Sequence, residues 1–182
     1  MALTKADVLG AALQILDEYG LADLTMRRLA AQLDVQAGAL YYHVANKQTL
    51  LIEVADLVLA DLPTSDADTD PVAWGLRLHS LLRSHRSGAE LVSAALAMRP
   101  LRDSPAEQVA RAWEPRLGER SRPLAHGIVS LVLGHTLDEE QREQFTRLGV
   151  AAAADSNDQD DPAARLEASL RLLAGPAPEG QG

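Results

Sequence analysis

Residues 24–51, LTMRRLAAQLDVQAGALYYHVANKQTLL, carry the pattern that decides the fold. Thr25 stands before a run in which Leu29, Ala30 and Leu33 recur at helical spacing, which predicts an N-cap and a short helix with Arg27 and Arg28 in its first turn. Asp34 falls where that run stops, and aspartate enters the left-handed backbone region more readily than most residues. A third helix over about 36–43 follows. Asn46 then caps a fourth over 47–61, with Leu50, Leu51, Val54, Leu57 and Val58 as its apolar stripe. Ala30 and Ala31 are small enough for the second and third helices to cross closely, while Leu33, Val35 and Leu40 seal the crossing. Two short helices joined by a tight turn make a helix-turn-helix.

The third helix offers Gln36, Ala37, Gly38 and Ala39 at its N-terminal end, where backbone N–H groups lack partners within the helix and favour phosphate. Small side chains let such a helix sit deep in a major groove, where alanine methyls can meet thymine methyls. Tyr41, Tyr42, His43 and Lys47 add hydroxyl, imidazole and ammonium donors beside it, which are phosphate-positioning groups. Each residue also admits a plainer reading, with the tyrosines as core packing and Arg27 and Arg28 as a solvated helix face. The combination favours DNA.

At these residues the chain resembles the tetracycline-repressor (TetR) family of transcriptional regulators, down to Leu-Tyr-Tyr-His-Val at 40–44, Asn46-Lys47 and the Leu50-Leu51 pair. The resemblance covers about the first 60 residues. It implies DNA contact by Arg27, Gln36, Ala37, Gly38, Ala39, Tyr41, Tyr42 and Lys47. The chain departs from the family at the turn, where Leu33-Asp34-Val35 stands for the common Leu-Gly-Val.

Upstream, Thr4 with Asp7 predicts a capped first helix whose Val8, Ala11, Ala12, Ile15 and Tyr19 share a face, stopped by Gly20. The 182 residues hold 3% aromatics and no cysteine. That composition predicts an all-α protein, removes disulfides and thiolate chemistry, and fits a cytoplasmic location. No window reaches the roughly 18 apolar residues of a membrane span. A net charge of −9 argues against promiscuous nucleic-acid binding but permits a local cationic surface in one docking orientation.

Downstream, the acidic, proline-bracketed stretch PTSDADTDP, 63–71, marks the functional boundary. The expected organisation is a helix-turn-helix DNA-binding domain over 1–47, the fourth helix 47–61 as connector, a helical bundle over 62–175 for ligand binding and dimerisation, and a disordered tail over 176–182. Helices are expected at about 71–87, 89–99, 105–118, 123–153 and 162–174, with Pro100, Pro105 and Pro123 at the breaks and an acidic loop over 155–162. Trp74, Leu78, Leu82, Leu96, Trp113, Leu117 and Leu131 predict a mainly apolar ligand pocket, with His135 and Asp138 as polar anchors; the same large side chains suit an ordinary core. Ile128, Val132, Leu166, Leu170 and Leu173 are the expected homodimer interface, or else close the protomer's own core. His85 reads as a helix-end cap or else a ligand contact, and His79 has no clear partner. His126 and His135, nine residues apart, do not form a local metal pair, so neither a metal site nor a cofactor is expected.

Residues 84–100 and 133–145 resemble stretches of the tetracycline-repressor-type C-terminal domain. The namesake of that subgroup chelates magnesium-bound tetracycline through a His in the first stretch, just before an Arg-Pro. Here Ala94-Ala95-Leu96-Ala97-Met98 precedes Arg99-Pro100 with no imidazole, which speaks against magnesium-tetracycline as ligand. No nucleophile elbow or triad assembles, so no catalytic residue is expected. The sequence therefore predicts a non-enzymatic regulator that binds (pseudo)palindromic double-stranded operator DNA as a homodimer, away from membranes. The expected form is a repressor released by a small apolar or aromatic effector. The alternative is a homodimeric DNA-binding adaptor governed by a protein partner or by no ligand.

Overall fold

A computed structural model describes residues 3–98, 104–150 and 161–175, and among these it shows nine α-helices, two 3₁₀ turns and no strand. Helix α1 (Lys5–Tyr19) is opened by a reciprocal capping box: Asp7 N–H donates to the Thr4 hydroxyl at 3.2 Å, and Thr4 N–H donates to the Asp7 carboxylate at 2.9 Å. Gly20, at φ 89°, closes it. Helix α2 (Met26–Gln32) begins under Thr25, whose hydroxyl accepts from Arg28 N–H at 3.1 Å. Asp34 takes φ 52°, as its place in the turn predicts, and Val35 N–H reaches back to the Ala30 carbonyl at 3.0 Å.

Helix α3 (Ala37–Leu40) is shorter than 36–43. His43 N–H and Val44 N–H both donate to the Leu40 carbonyl, so residues 41–43 form a tight turn rather than a further helical turn. Asn46 caps α4 (Lys47–Leu59) by accepting from Thr49 N–H at 2.8 Å.

Helices α5 (Pro71–Arg83), α6 (Gly88–Met98), α7 (Pro105–Leu117), α8 (Ser121–Arg147) and α9 (Pro162–Ala174) follow. Pro123 does not mark a break. It sits in the first turn of α8, where its missing N–H would have had no intrahelical partner. Pro100, most of the second acidic stretch and the 176–182 tail lie outside the described residues.

The described chain divides into two units, one holding residues 3–62 and 81–98, the other 63–80, 104–150 and 161–175. In the first, Val8, Ala12, Ile15, Leu16, Leu24, Leu29, Leu40, Leu50 and Val54 are wholly buried, and α6 packs on α4 through Leu91, Val92 and Ala95. Ala30 is buried at the α2–α3 crossing, whereas Ala31 faces solvent and plays no part in the close approach. His85 pairs with Asp17 of α1 at 3.0 Å, and the Arg86 guanidinium donates to the Glu18 carbonyl, so the end of α1 is tied to the turn before α6. Gly88 has no room for a side chain there, since a Cβ would lie 2.3 Å from the Leu82 carbonyl oxygen.

In the second unit Trp74, Leu78, Val109, Trp113, Ile128, Val132, Leu166 and Leu170 form the core. Helix α9 lies so close to α5 that a Cβ on Gly75 would come within 2.9 Å of Leu170 and 3.1 Å of Ile128. Ile128, Val132, Leu166 and Leu170 are thus completely enclosed by their own protomer and offer nothing to a second copy. Leu173 is 40% exposed and packs over Gly127. An amphipathic stripe looks the same in sequence whether it faces a neighbouring helix or a second chain.

Two stability outcomes follow from this packing. Leu170→Ala is expected to cost about 2–5 kcal/mol in urea unfolding, because it opens a cavity between α5, α8 and α9. Asp34→Gly is expected to gain about 0.5–1 kcal/mol, because glycine adopts positive φ without the steric penalty of a Cβ; a lower melting temperature in the glycine variant would show that the Asp34 side chain contributes more than its backbone strain removes.

Candidate functional site

The Asp34 turn and the Leu40 anchor hold one edge of the first unit open to solvent. Gln36, Ala37, Gly38 and Ala39 are all exposed, and Gln36 is the N-cap of α3 without making a side-chain cap bond. A Cβ built on Gly38 meets nothing within 4 Å. Tyr41 is 53% and Tyr42 90% exposed, so neither tyrosine packs the core. His43 stands edge-on to Tyr42 with ring centroids 5.3 Å apart. Lys47, half-buried, opens α4 four residues after His43.

The two arginines of α2 have different employments. Arg27 is exposed. Arg28 pairs with Asp23 at 3.0 Å and lies 4.2 Å over the Tyr19 ring, which fixes the α1–α2 corner. Residues 24–51 carry three cations, Arg27, Arg28 and Lys47, against one carboxylate, Asp34, inside a chain of net charge −9. This edge can seat a polyanion by its ammonium, guanidinium and phenol groups and admit a groove wall against its small residues.

The residues predicted to line a pocket are distributed over both units. Leu82 and Leu96 belong to the first, where Leu82 is wholly buried and Leu96 half-buried. In the second, Trp74 and Trp113 meet edge to face at 5.9 Å, with Leu78 buried and Leu117 and Leu131 half-buried. The Trp113 indole N–H is buried without a hydrogen-bond acceptor among the described residues, a cost of about 1–3 kcal/mol for the fold. Asp138 is exposed and paired with Arg142 at 2.8 Å one turn on, so its carboxylate is directed to the surface rather than to an apolar interior.

The histidines hold what sequence reasoning missed. His79 does have a partner: its Nε2 lies 2.7 Å from Glu139 Oε2, across 60 residues of sequence. His135 Nε2 lies 3.4 Å from Glu139 Oε1, and the His79 and His135 rings meet at 5.7 Å. These three side chains are only 10–15% exposed. The available signal was the i, i+4 pair His135 and Glu139, which share a face of α8. On the surface, His126 and Arg122 both bind Glu107, at 3.0 and 2.7 Å; the Arg122 hydrogen bond first, and then His126, hold the Glu107 carboxyl below its ordinary range.

With this geometry in view, comparison with known proteins is specific. Residues 8–54 match the family model described as bacterial regulatory proteins, tetR family. The tetracycline repressor protein class E of Escherichia coli is 30% identical over 160 residues, covering 84% of this chain and 76% of that protein. The crystal structure of Mycobacterium smegmatis BioQ superposes with a TM-score of 0.81 at 39% identity, covering 95% of this chain and 96% of that one. A structure of BioQ with its natural double-stranded DNA operator is 42% identical, with a TM-score of 0.68, over 82% of this chain and 94% of that one.

If the exposed tyrosine serves recognition and not folding, Tyr42→Ser is expected to shift unfolding free energy by under about 0.5 kcal/mol. A loss of 2 kcal/mol or more in a denaturant melt, on the order of a core truncation, would return Tyr42 to a packing role.

Proposed function

Since the chain belongs to the tetR family of bacterial regulatory proteins and is a DNA-binding transcriptional regulator, we propose that it represses transcription by binding a (pseudo)palindromic operator as a homodimer and is released by a small effector. The observation that carries this reading is the α3 edge. Four exposed residues, 36–39, and two exposed tyrosines have no folding reason to be there, and they lie beside the cations of α2 and α4. DNA contact is assigned to Arg27, Gln36, Ala37, Gly38, Ala39, Tyr41, Tyr42 and Lys47. Functionally, residues 1–47 form the reading head, 47–61 the connector, and 62–175 the effector and dimerisation region. The protein acts in the cytoplasm on DNA and performs no catalysis. No described helix is long and apolar enough to cross a membrane.

A dimer brings two heads to successive half-sites one helical turn apart. The apolar surface available to a second copy is not the buried leucine stripe but Leu172, 85% exposed, with Leu173 and the exposed Phe145 and Leu148 near the end of α8. The effector is taken to be largely apolar or aromatic, received among Trp74, Leu78, Trp113, Leu117 and Leu131 of the second unit. It carries a hydrogen-bond acceptor that relieves the orphaned Trp113 N–H. An effector acts only through different affinity for the DNA-compatible and DNA-incompatible states.

Selection of duplexes from a random pool by the purified protein, followed by fluorescence anisotropy on the winning sequence, tests the assignment. Gly38→Leu is expected to keep the wild-type melting temperature, because the site is open, and to abolish operator binding by blocking groove approach. Lys47→Met is expected to weaken binding to all sequences by a similar factor and to lower the salt slope by about one unit. Unchanged operator affinity in both variants would remove α3 and the start of α4 from the interface. An effector at a hundredfold excess over its Kd should raise stability by about 2.7 kcal/mol and release the operator over the same concentration range.

A further inference from the structure

We propose that His79 of α5 with His135 and Glu139 of α8 bind a divalent transition-metal ion of the zinc class. The three groups offer two imidazole nitrogens and a carboxylate, with their ligand atoms all within 4.8 Å of one another. Imidazoles with one carboxylate suit zinc, cobalt or nickel rather than magnesium or calcium, which prefer all-oxygen shells. The site is built rather than superficial: the side chains are 15%, 10% and 15% exposed and stand beside the buried Leu78, Val132 and Thr136.

The orientation of His135 is the independent observation. Its Nε2 is buried and makes no hydrogen bond among the described residues, although Glu139 Oε1 stands 3.4 Å away. A buried ring nitrogen held at that distance without a hydrogen bond is costly as a proton site. It fits a metal site, because tetrahedral bonds of 2.0–2.1 Å place neighbouring ligands about 3.4 Å apart. His79 Nε2 and Glu139 Oε2, at 2.7 Å, are instead within hydrogen-bond distance. Entry of the ion requires that pair to open by roughly 0.7 Å to a tetrahedral edge. Three protein ligands leave a fourth position for water or for an oxygen donor.

Such an ion would tie α5 to α8 by bonds that do not depend on apolar packing. The site adjoins the effector region at Leu78, but none of its three ligands is among the effector residues, so it survives if that reading fails. It is also distinct from the exposed Glu107, Arg122 and His126 cluster, which offers one imidazole and one carboxylate beside a guanidinium that repels a cation.

The test uses the full-length protein stripped with a chelator and titrated with Co²⁺, whose visible d–d absorption is intense in four-coordinate sites. One equivalent per chain should produce that spectrum, and Zn²⁺ should displace it and raise the melting temperature. His79→Gln and Glu139→Gln should each weaken Co²⁺ binding at least tenfold, while His126→Gln should leave it unchanged. Both ligand variants are scored only against the far-UV spectrum and selected-duplex affinity of the stripped wild type, which establish that they fold. His79→Gln, whose residue is on α5, serves alone if the α8 change unfolds the chain. Absence of a four-coordinate cobalt spectrum in the wild type, or a spectrum that persists in His79→Gln and disappears in His126→Gln, overturns the proposal.

Discussion

The edge proposed to read DNA depends on one backbone constraint, the reversal between α2 and α3 with Asp34 at positive φ. A right-handed conformation there would carry α2 onward and leave Leu40 without its place in the core of α1, α2 and α4. The left-handed residue instead lets Val35 N–H close on the Ala30 carbonyl, satisfying a group at the end of α2 while redirecting the chain. Leu40 then anchors a helix of four residues that makes little structure of its own. So short a helix is marginal in isolation. It persists because Leu24, Leu29, Leu40 and Leu50 are buried beneath it.

The second unit is governed by closeness. Gly75 and Gly127 let α9 approach α5 and α8 until leucine side chains fill the space a Cβ would occupy. Packing of that kind leaves few polar atoms inside, which makes the exceptions informative. The Trp113 indole N–H and the His135 Nε2 are both buried without a hydrogen bond among the described residues. Native interiors satisfy most such groups.

Local chemistry was legible in the sequence. Thr4, Thr25 and Asn46 cap the helices they precede, Gly20 and Asp34 turn where they should, and α9 runs over the predicted 162–174. Each of those readings uses neighbours within a few residues. Long-range pairing was not legible: His79 meets Glu139 only because α5 and α8 are packed together, and no spacing rule joins positions 60 residues apart. The leucines of α9 show the same gap from the other side. Their periodicity fixed which face is apolar, but whether that face meets the same chain or another is a property of tertiary packing. Asp138 was chosen for its position and proved to be occupied one turn away by Arg142.

The openness at Gly38 has an evolutionary meaning. Residues 37–39 contribute almost nothing to the stability of their own unit, since they are exposed and the glycine has empty space on its side-chain face. On the DNA contacts proposed for them, mutations there are filtered by the DNA they meet and hardly at all by folding. After gene duplication, a copy can therefore acquire a new target by changes at these few positions while its scaffold stays the same. The anchor at Leu40 and the turn at Asp34 have no such freedom, so divergence in specificity and conservation of architecture can be separated by only a few residues along one chain.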